Sequence, residues 1–285
     1  GGTGPKKPLK ELTLQISRGA LVIVLGGPGS GKSSLFKALL GEMTLLSGEV
    51  HIEGAVSYAP QIPWTLNESV RFNIAFASEP SDMPRYLRSL SMSGLKDDLE
   101  ALQDGDATHL SDAYFSTAQL SRVSLARSIY RNVDTYLIDD LFYNFETPEK
   151  AHQIMETTLS GIGSATRILA LSRHMPIIER ANMVVYMKEG EISYAGSYQG
   201  LIENDPTFFD TLAVHERTRS FRAPRPMLRS ALGNMTSGVT IPSPNKTRIK
   251  YDMNANLAEL VGIDDSHIAG PHYQHNGLKF KSGAR

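Results

Sequence analysis

The chain has 285 residues, 41 % hydrophobic and 21 % charged, with a net charge of −1; it can bury a sizeable core and is too nearly neutral for a general nucleic-acid binder. It contains no cysteine, which excludes disulfides, thiolate metal sites and cysteine nucleophiles. The longest strongly apolar runs, ALVIVL and MVVYM, fall far short of the ~20 residues that span a bilayer, and the first residues hold no apolar signal-peptide core, so the polypeptide alone is expected to be soluble.

In chain order, Glu11–Ser17 alternates apolar and polar residues and predicts a half-exposed strand. Leu21–Leu25 (LVIVL) is continuously apolar, the pattern of a strand buried on both faces. A glycine-rich loop follows, then a predicted helix from Lys32 to Glu42 with Leu35, Leu39 and Leu40 inward. EVHIEG and AVSYAP predict a hairpin around Gly54, and residues 80–103 one helix striped by Leu87, Leu90, Leu95 and Leu99. The second half predicts helix Gln119–Arg131, strand Thr135–Asp140, helix Pro148–Leu159, strand Arg167–Leu171 and strand Asn182–Met187. Thr147 before Pro148 is an N-cap followed by proline in the first turn, and Lys188–Gly190 closes a last hairpin. Strands alternating with helices imply an α/β core with a largely parallel sheet, and the early alternating strands imply an antiparallel sheet attached to it.

Beyond Val214 the composition changes. Residues 1–214 carry a net −7 and residues 215–285 a net +6, the latter rich in Pro, Ser, Thr and Arg. Such a segment buries too little to offset the entropy of folding. The expected organisation is a domain over 1–214 and a basic, largely disordered linker or tail over 215–285, with a short amphipathic helix at Met253–Gly262. Ser220 and Ser230 follow arginines in the manner of basic-directed kinase sites, and the basic tail suits an anionic lipid surface.

GGPGSGKSS, Gly26–Ser34, matches G-x-x-x-x-G-K-[ST] at Gly26, Gly31, Lys32 and Ser33; a chance match is on the order of one per cent. Buried strand, glycine loop and helix are in register. Backbone N–H groups of Gly29–Ser33, with the helix dipole, make a cradle for a phosphate. Lys32 would reach the β- and γ-phosphates and Ser33 would ligate Mg²⁺; Gly27, Pro28, Ser30 and Ser34 complete the loop. TYLIDD then ends a buried strand at Asp139, a carboxylate suited to anchoring the Mg²⁺ of bound ATP.

These residues, together with SGEVHIEGAVSYAPQIPWTLNESVRFNI, SRVSLARSIYRNVDTYLIDD and YMKEGEISYAGSY, resemble a nucleotide-binding domain of an ABC transporter. Within that family the likeness is to the C subfamily of multidrug-resistance-associated exporters, sulfonylurea receptors and the cystic-fibrosis chloride channel. It covers roughly residues 8–213 and implies a P-loop core, an antiparallel β subdomain and a helical subdomain at about 75–130. It also implies membrane-spanning domains of the same transporter as partners, a place at the cytoplasmic face of a membrane, and a head-to-tail dimer with a second nucleotide-binding domain. Gln61 falls at the Q-loop position, where it would touch Mg²⁺.

The departures from the family pattern are as informative. Where the family reads L-S-G-G-Q, this chain has Phe115, Ser116, Thr117, Ala118 and Gln119, and a Cβ at 117 and 118 is expected to obstruct approach to the partner's γ-phosphate. Asp140 stands for the catalytic glutamate, Ser172 for the switch histidine with His174 two residues late, and Tyr143–Glu146 (YNFE) for the usual S-A-L-D. An adenine-stacking aromatic is expected upstream of the loop, yet the first aromatic is Phe36. The expectation is the first of two such domains in an ABC transporter, binding ATP better than it cleaves it. A non-hydrolytic regulatory sensor gating a membrane partner, and a soluble P-loop ATPase, are the alternative readings.

Overall fold

The computed structural model describes residues 9–206, 208 and 278–281. Six strands form the main sheet: β2 (Leu21–Leu25), β4 (Val56–Ala59), β5 (Thr135–Asp139), β6 (Thr166–Leu171), β7 (Met183–Lys188) and β8 (Glu191–Gly196), in the spatial order β4-β5-β6-β2-β7-β8. The first five are mutually parallel, and β8 closes one edge as the antiparallel arm of a hairpin with β7. β2 is buried along its whole length. Leu21, Ile23 and Leu25 pack into one apolar cluster while Val22 and Val24 pack into another, so the sheet has a core on each face. The α/β expectation holds.

Helices cover both faces. α1 (Lys32–Leu39) places Leu35 and Phe36 against one side, and α6 (Pro148–Gly161) places Ala151, Ile154, Met155 and Leu159 against the other. α6 starts as its sequence indicates, with the Thr147 hydroxyl accepting from the Lys150 N–H at 3.2 Å, a cap worth about 1 kcal/mol. A helical layer with its own apolar cluster comprises α2 (Val70–Ala75), α3 (Met83–Met92), α4 (Lys96–Glu100) and α5 (Thr117–Tyr130). α7 (Tyr198–Asn204) packs after β8.

Three expectations need correction. EVHIEG and AVSYAP are not a hairpin: β3 (Glu49–His51) lies in a separate three-stranded sheet, while β4 pairs with β5. The chain crosses between sheets at Gly54 (φ +78°), where a Cβ would sit 2.3 Å from the Asp134 carboxylate that receives the Ala55 N–H. The single helix over 80–103 is two helices, broken at Gly94 in the left-handed region. Third, β9 (Leu278–Lys281), inside the segment expected to be tail, is the central strand of the small sheet, antiparallel to both β1 (Leu14–Ile16) and β3. The rest of the tail, including Ser220, Ser230 and the helix expected at 253–262, lies outside the described residues.

Because β9 joins two strands that do not pair with each other, deleting residues 278–285 is expected to lower the melting temperature by several degrees, at about 2–4 °C per kcal/mol for a domain of this size. An unchanged melting temperature would return these residues to the tail.

Candidate nucleotide site

The sheet order assembles the site. β4, β5, β6, β2 and β7 run parallel, so residues just past their C-terminal ends gather along one edge, the usual place for ligands in such sheets. Gln61 follows β4, Asp139 and Asp140 end or follow β5, Ser172 follows β6, residues 26–31 follow β2, and Glu189 and Gly190 follow β7. All of these except Gly26 and Gly27 line, with Lys32–Ser34, one cleft of about 370 Å³.

The loop between β2 and α1 can be built only with glycine at its tight points. A Cβ on Gly26 would lie 2.5 Å from Ser30 Oγ and 2.6 Å from the Met187 carbonyl, and Gly31 (φ +107°) sits 3.2 Å from the Gly190 Cα at its imagined Cβ. Gly31 is the N-cap of α1 and supplies no side-chain cap, leaving first-turn N–H groups for an anion. Lys32 is buried; its Nζ donates to the carbonyls of Gly26 at 2.5 Å and Gly27 at 3.1 Å. Ser30 Oγ is buried with no hydrogen-bond partner among the described residues. An orphaned hydroxyl, open helix N–H groups and a buried lysine fit a phosphate chain.

Ser33, Gln61 and Asp139, which line the same cleft, could hold a Mg²⁺ accompanying that phosphate chain. Among the described residues no cluster of three or more His, Cys, Asp or Glu could hold a metal by itself. Mg²⁺ is usually bound through one or two carboxylates together with substrate phosphates. Asp139 is buried and accepts a hydrogen bond from the Tyr58 hydroxyl at 3.1 Å. Burial and the Asp139 charge push the Tyr58 phenol well above its ordinary pKa, so Tyr58 stays a donor and steers the carboxylate.

Asp140 is the most constrained group here. It is non-glycine at φ +49° and 3 % exposed. Its Oδ1 accepts from the Ser172 N–H at 3.1 Å, and its Oδ2 from Ser172 Oγ at 2.5 Å and Gln61 Nε2 at 3.2 Å. Ser172 therefore grips this carboxylate through both its N–H and its hydroxyl. His174 is exposed, with Nε2 3.3 Å from the Tyr198 hydroxyl, and does not line the cleft.

Ser116–Gln119 lie apart from the cleft at the start of α5. The Ser116 hydroxyl accepts from the Gln119 N–H at 3.2 Å and Gln119 Oε1 accepts from the Ser116 N–H at 2.9 Å, a complete capping box. Gln119 Nε2 also donates to Asp98 at 3.3 Å. Ala118 is 5 % exposed, so its methyl packs into its own domain. Thr117 is exposed. Phe36 is fully buried, edge-on to Tyr58 with ring centroids 6.2 Å apart, and cannot stack on a base.

Two contributors escaped the sequence reading. One is Tyr58, recognisable only once β4 is known to lie beside β5. The other is the Glu189–Gly190 turn, whose Gly190 N–H donates to the Ser30 carbonyl at 2.9 Å and braces the phosphate loop. Beside Gln61 the surface is also unexpectedly apolar: Ile62 is 81 % exposed, with Trp64, Phe76 and Leu66 each more than 40 % exposed. The Arg127 guanidinium lies 3.8 Å from the Trp64 ring centre. Burial lowers its pKa to about 10, so it remains a cation at neutral pH and the stack is a cation–π contact.

The profile of a family described as ABC transporter matches residues 9–142. ABC transporter C family member 13 of Oryza sativa subsp. indica is 34 % identical over 216 residues, 75 % of this chain and 14 % of that protein. Multidrug resistance protein mrp-7 of Caenorhabditis elegans is 38 % identical over 216 residues, 74 % of this chain and 14 % of that protein. ABC transporter C family member 3 of Dictyostelium discoideum is 33 % identical over 209 residues, 73 % and 15 % respectively. The chain spans about 14 % of the length of the first two of these relatives.

Proposed function

The chain belongs to the ABC transporter family as an ATP-binding domain of the C-family type, and we propose that within a longer membrane transporter it binds Mg²⁺·ATP and holds it with little or no hydrolysis. Residues Gly26–Ser34 would hold the phosphates, Lys32 the β- and γ-phosphates, and Ser33, Gln61 and Asp139 the Mg²⁺, which would supply charge neutralisation. The observation that carries the reading is the Asp140 carboxylate, engaged by Ser172 through both its N–H and its hydroxyl and by Gln61. A general base needs a lone pair within reach of the water it activates, and this one is turned inward onto protein donors.

Three further elements support the surrounding assignment. The exposed Ile62, Trp64, Leu66 and Phe76 form an apolar face suited to the membrane-spanning domains of the same transporter, which would set the domain at the cytoplasmic face of a membrane. Ser116–Gln119, with Thr117 outermost, is the surface offered to a second nucleotide-binding domain in a head-to-tail dimer. The altered residues at 117, 118, 140 and 172 favour the first of two such domains. Among the described residues no helix is long and apolar enough to cross a membrane. The regulatory-sensor reading differs only in what the partner does, and the same engaged carboxylate favours it equally.

The direct test is the identity of the retained nucleotide. After prolonged incubation with Mg²⁺ and labelled ATP, the chain is expected to release ATP on denaturation. Recovery of mostly ADP would overturn the proposal.

A further inference from the structure

The Asp140-to-Glu146 stretch contains one side chain whose chemistry the family pattern lacks. Asn144 stands where S-A-L-D places alanine, at the end of the short 3-10 turn Leu141–Asn144 that follows Asp140. Its Nδ2 donates to the Gln61 carbonyl at 2.7 Å and to Ser121 Oγ at 3.0 Å. A backbone carbonyl only accepts, so the amide nitrogen is the atom that must face it. Ser121 is fully buried on α5. Asn144 thus pins the main chain of Gln61 to that helix across 83 positions of sequence.

The same surface segment is pinned again further on. Arg127, also on α5, donates to the Trp64 carbonyl at 3.1 Å and stacks on its ring. Asn73 exchanges hydrogen bonds with both the N–H and the carbonyl of Leu66, at 2.7 Å and 3.1 Å. Ile62 stands between the first two anchors, 81 % exposed. With its main chain held, Gln61 can exchange Asp140 for another partner only by rotating its side chain.

We propose that Asn144 is a positioning residue of the nucleotide site: by donating to the Gln61 carbonyl it confines the response of Gln61 to its side chain and keeps the Ile62–Leu66 face still. The inference rests on the reading of Gln61 and residues 26–34 as the Mg²⁺·ATP site, but its first consequence appears without nucleotide.

Trp64 is the only tryptophan in the chain, which makes its fluorescence a native reporter of this segment. In the full chain without nucleotide, Asn144→Ala removes both hydrogen bonds, and acrylamide quenching of Trp64 is expected to rise about twofold or more as the segment opens. Asn144→Asp keeps the shape of the side chain but presents only acceptors at neutral pH, so it is expected to loosen Trp64 as much as alanine does. Adding Mg²⁺·ATP should leave quenching nearly unchanged in the parent chain and shift it in both variants. An aspartate variant that behaves like the parent would mean that shape, not donation, matters, and would overturn the proposal. So would an alanine variant with unaltered quenching. Loss of ATP binding by the parent in calorimetry would instead overturn the site assignment, leaving the nucleotide-free comparison to decide the role of Asn144.

Discussion

Replacing Lys32 with alanine is expected to weaken Mg²⁺·ATP binding about 100-fold or more, because two charge-assisted hydrogen bonds of about 1.5–3 kcal/mol each go with it and every 1.4 kcal/mol is tenfold. The side chain is 8 % exposed and its ammonium sits at the mouth of the loop, on the carbonyls of Gly26 and Gly27. A phosphate chain entering the cleft meets that ammonium where water is largely excluded, so the attraction is screened less than on an open surface. Losing the lysine also strips a donor from two loop carbonyls. The loop itself remains fixed by the Gly190 N–H on the Ser30 carbonyl and by glycine packing at positions 26 and 31. Calorimetry with Mg²⁺·ATP, with circular dichroism to confirm folding, is the measurement. An affinity within a few-fold of the parent would remove residues 26–34 from the nucleotide site.

The phosphate loop was legible from sequence because its physics is local. A buried strand, nine residues rich in glycine and a helix start are contiguous, and the backbone itself is the ligand-binding group. The same is true of the Thr147 cap and of the hairpin turn at Lys188–Gly190, though not of that turn's contact with Ser30. What sequence did not disclose depends on strand order. Tyr58 meets Asp139 across 81 positions and Asn144 meets Gln61 across 83, contacts that exist only because β4 lies beside β5. The supposed hairpin at Gly54 failed for the same reason: alternation marks β3 and β4 as strands but is silent on which sheet each joins. The exposed face at Ile62–Leu66 was invisible because an apolar residue in a sequence is ordinarily assigned to the core. That the Ala118 methyl is buried was equally hidden, because where a Cβ at a helix start lands depends on its tertiary neighbours.

The chain at saturating Mg²⁺·ATP is expected to release phosphate at well under about 0.1 s⁻¹, against about 10 s⁻¹ for a median enzyme. A correctly placed general base contributes about 10²–10⁴-fold, and a displacement of about 1 Å can cost about 100-fold. Asp140 is handicapped on both counts. Its side chain is one methylene, about 1.5 Å, shorter than the glutamate the family uses. Its Oδ2 is also held by Ser172 Oγ at 2.5 Å, which points it at a protein donor rather than at a water. Asp140→Glu alone lengthens the reach but leaves the serine hydroxyl in place, and Ser172→His alone frees Oδ2 but leaves it short. The double variant Asp140→Glu, Ser172→His is therefore expected to exceed either single change and to raise turnover about 10–100-fold, with ATP affinity little altered because Gly26–Ser34 is untouched. Position 172 borders the cleft, so an imidazole ring has an open side into which to extend. Rates should be read across a range of chain concentrations, since a head-to-tail pair would make turnover rise faster than linearly. A parent chain already turning over near 1 s⁻¹ would show that the grip of Ser172 on Asp140 does not limit hydrolysis. A double variant no faster than its parent, with ATP binding intact, would move the block from this carboxylate to Phe115–Gln119 at the start of α5.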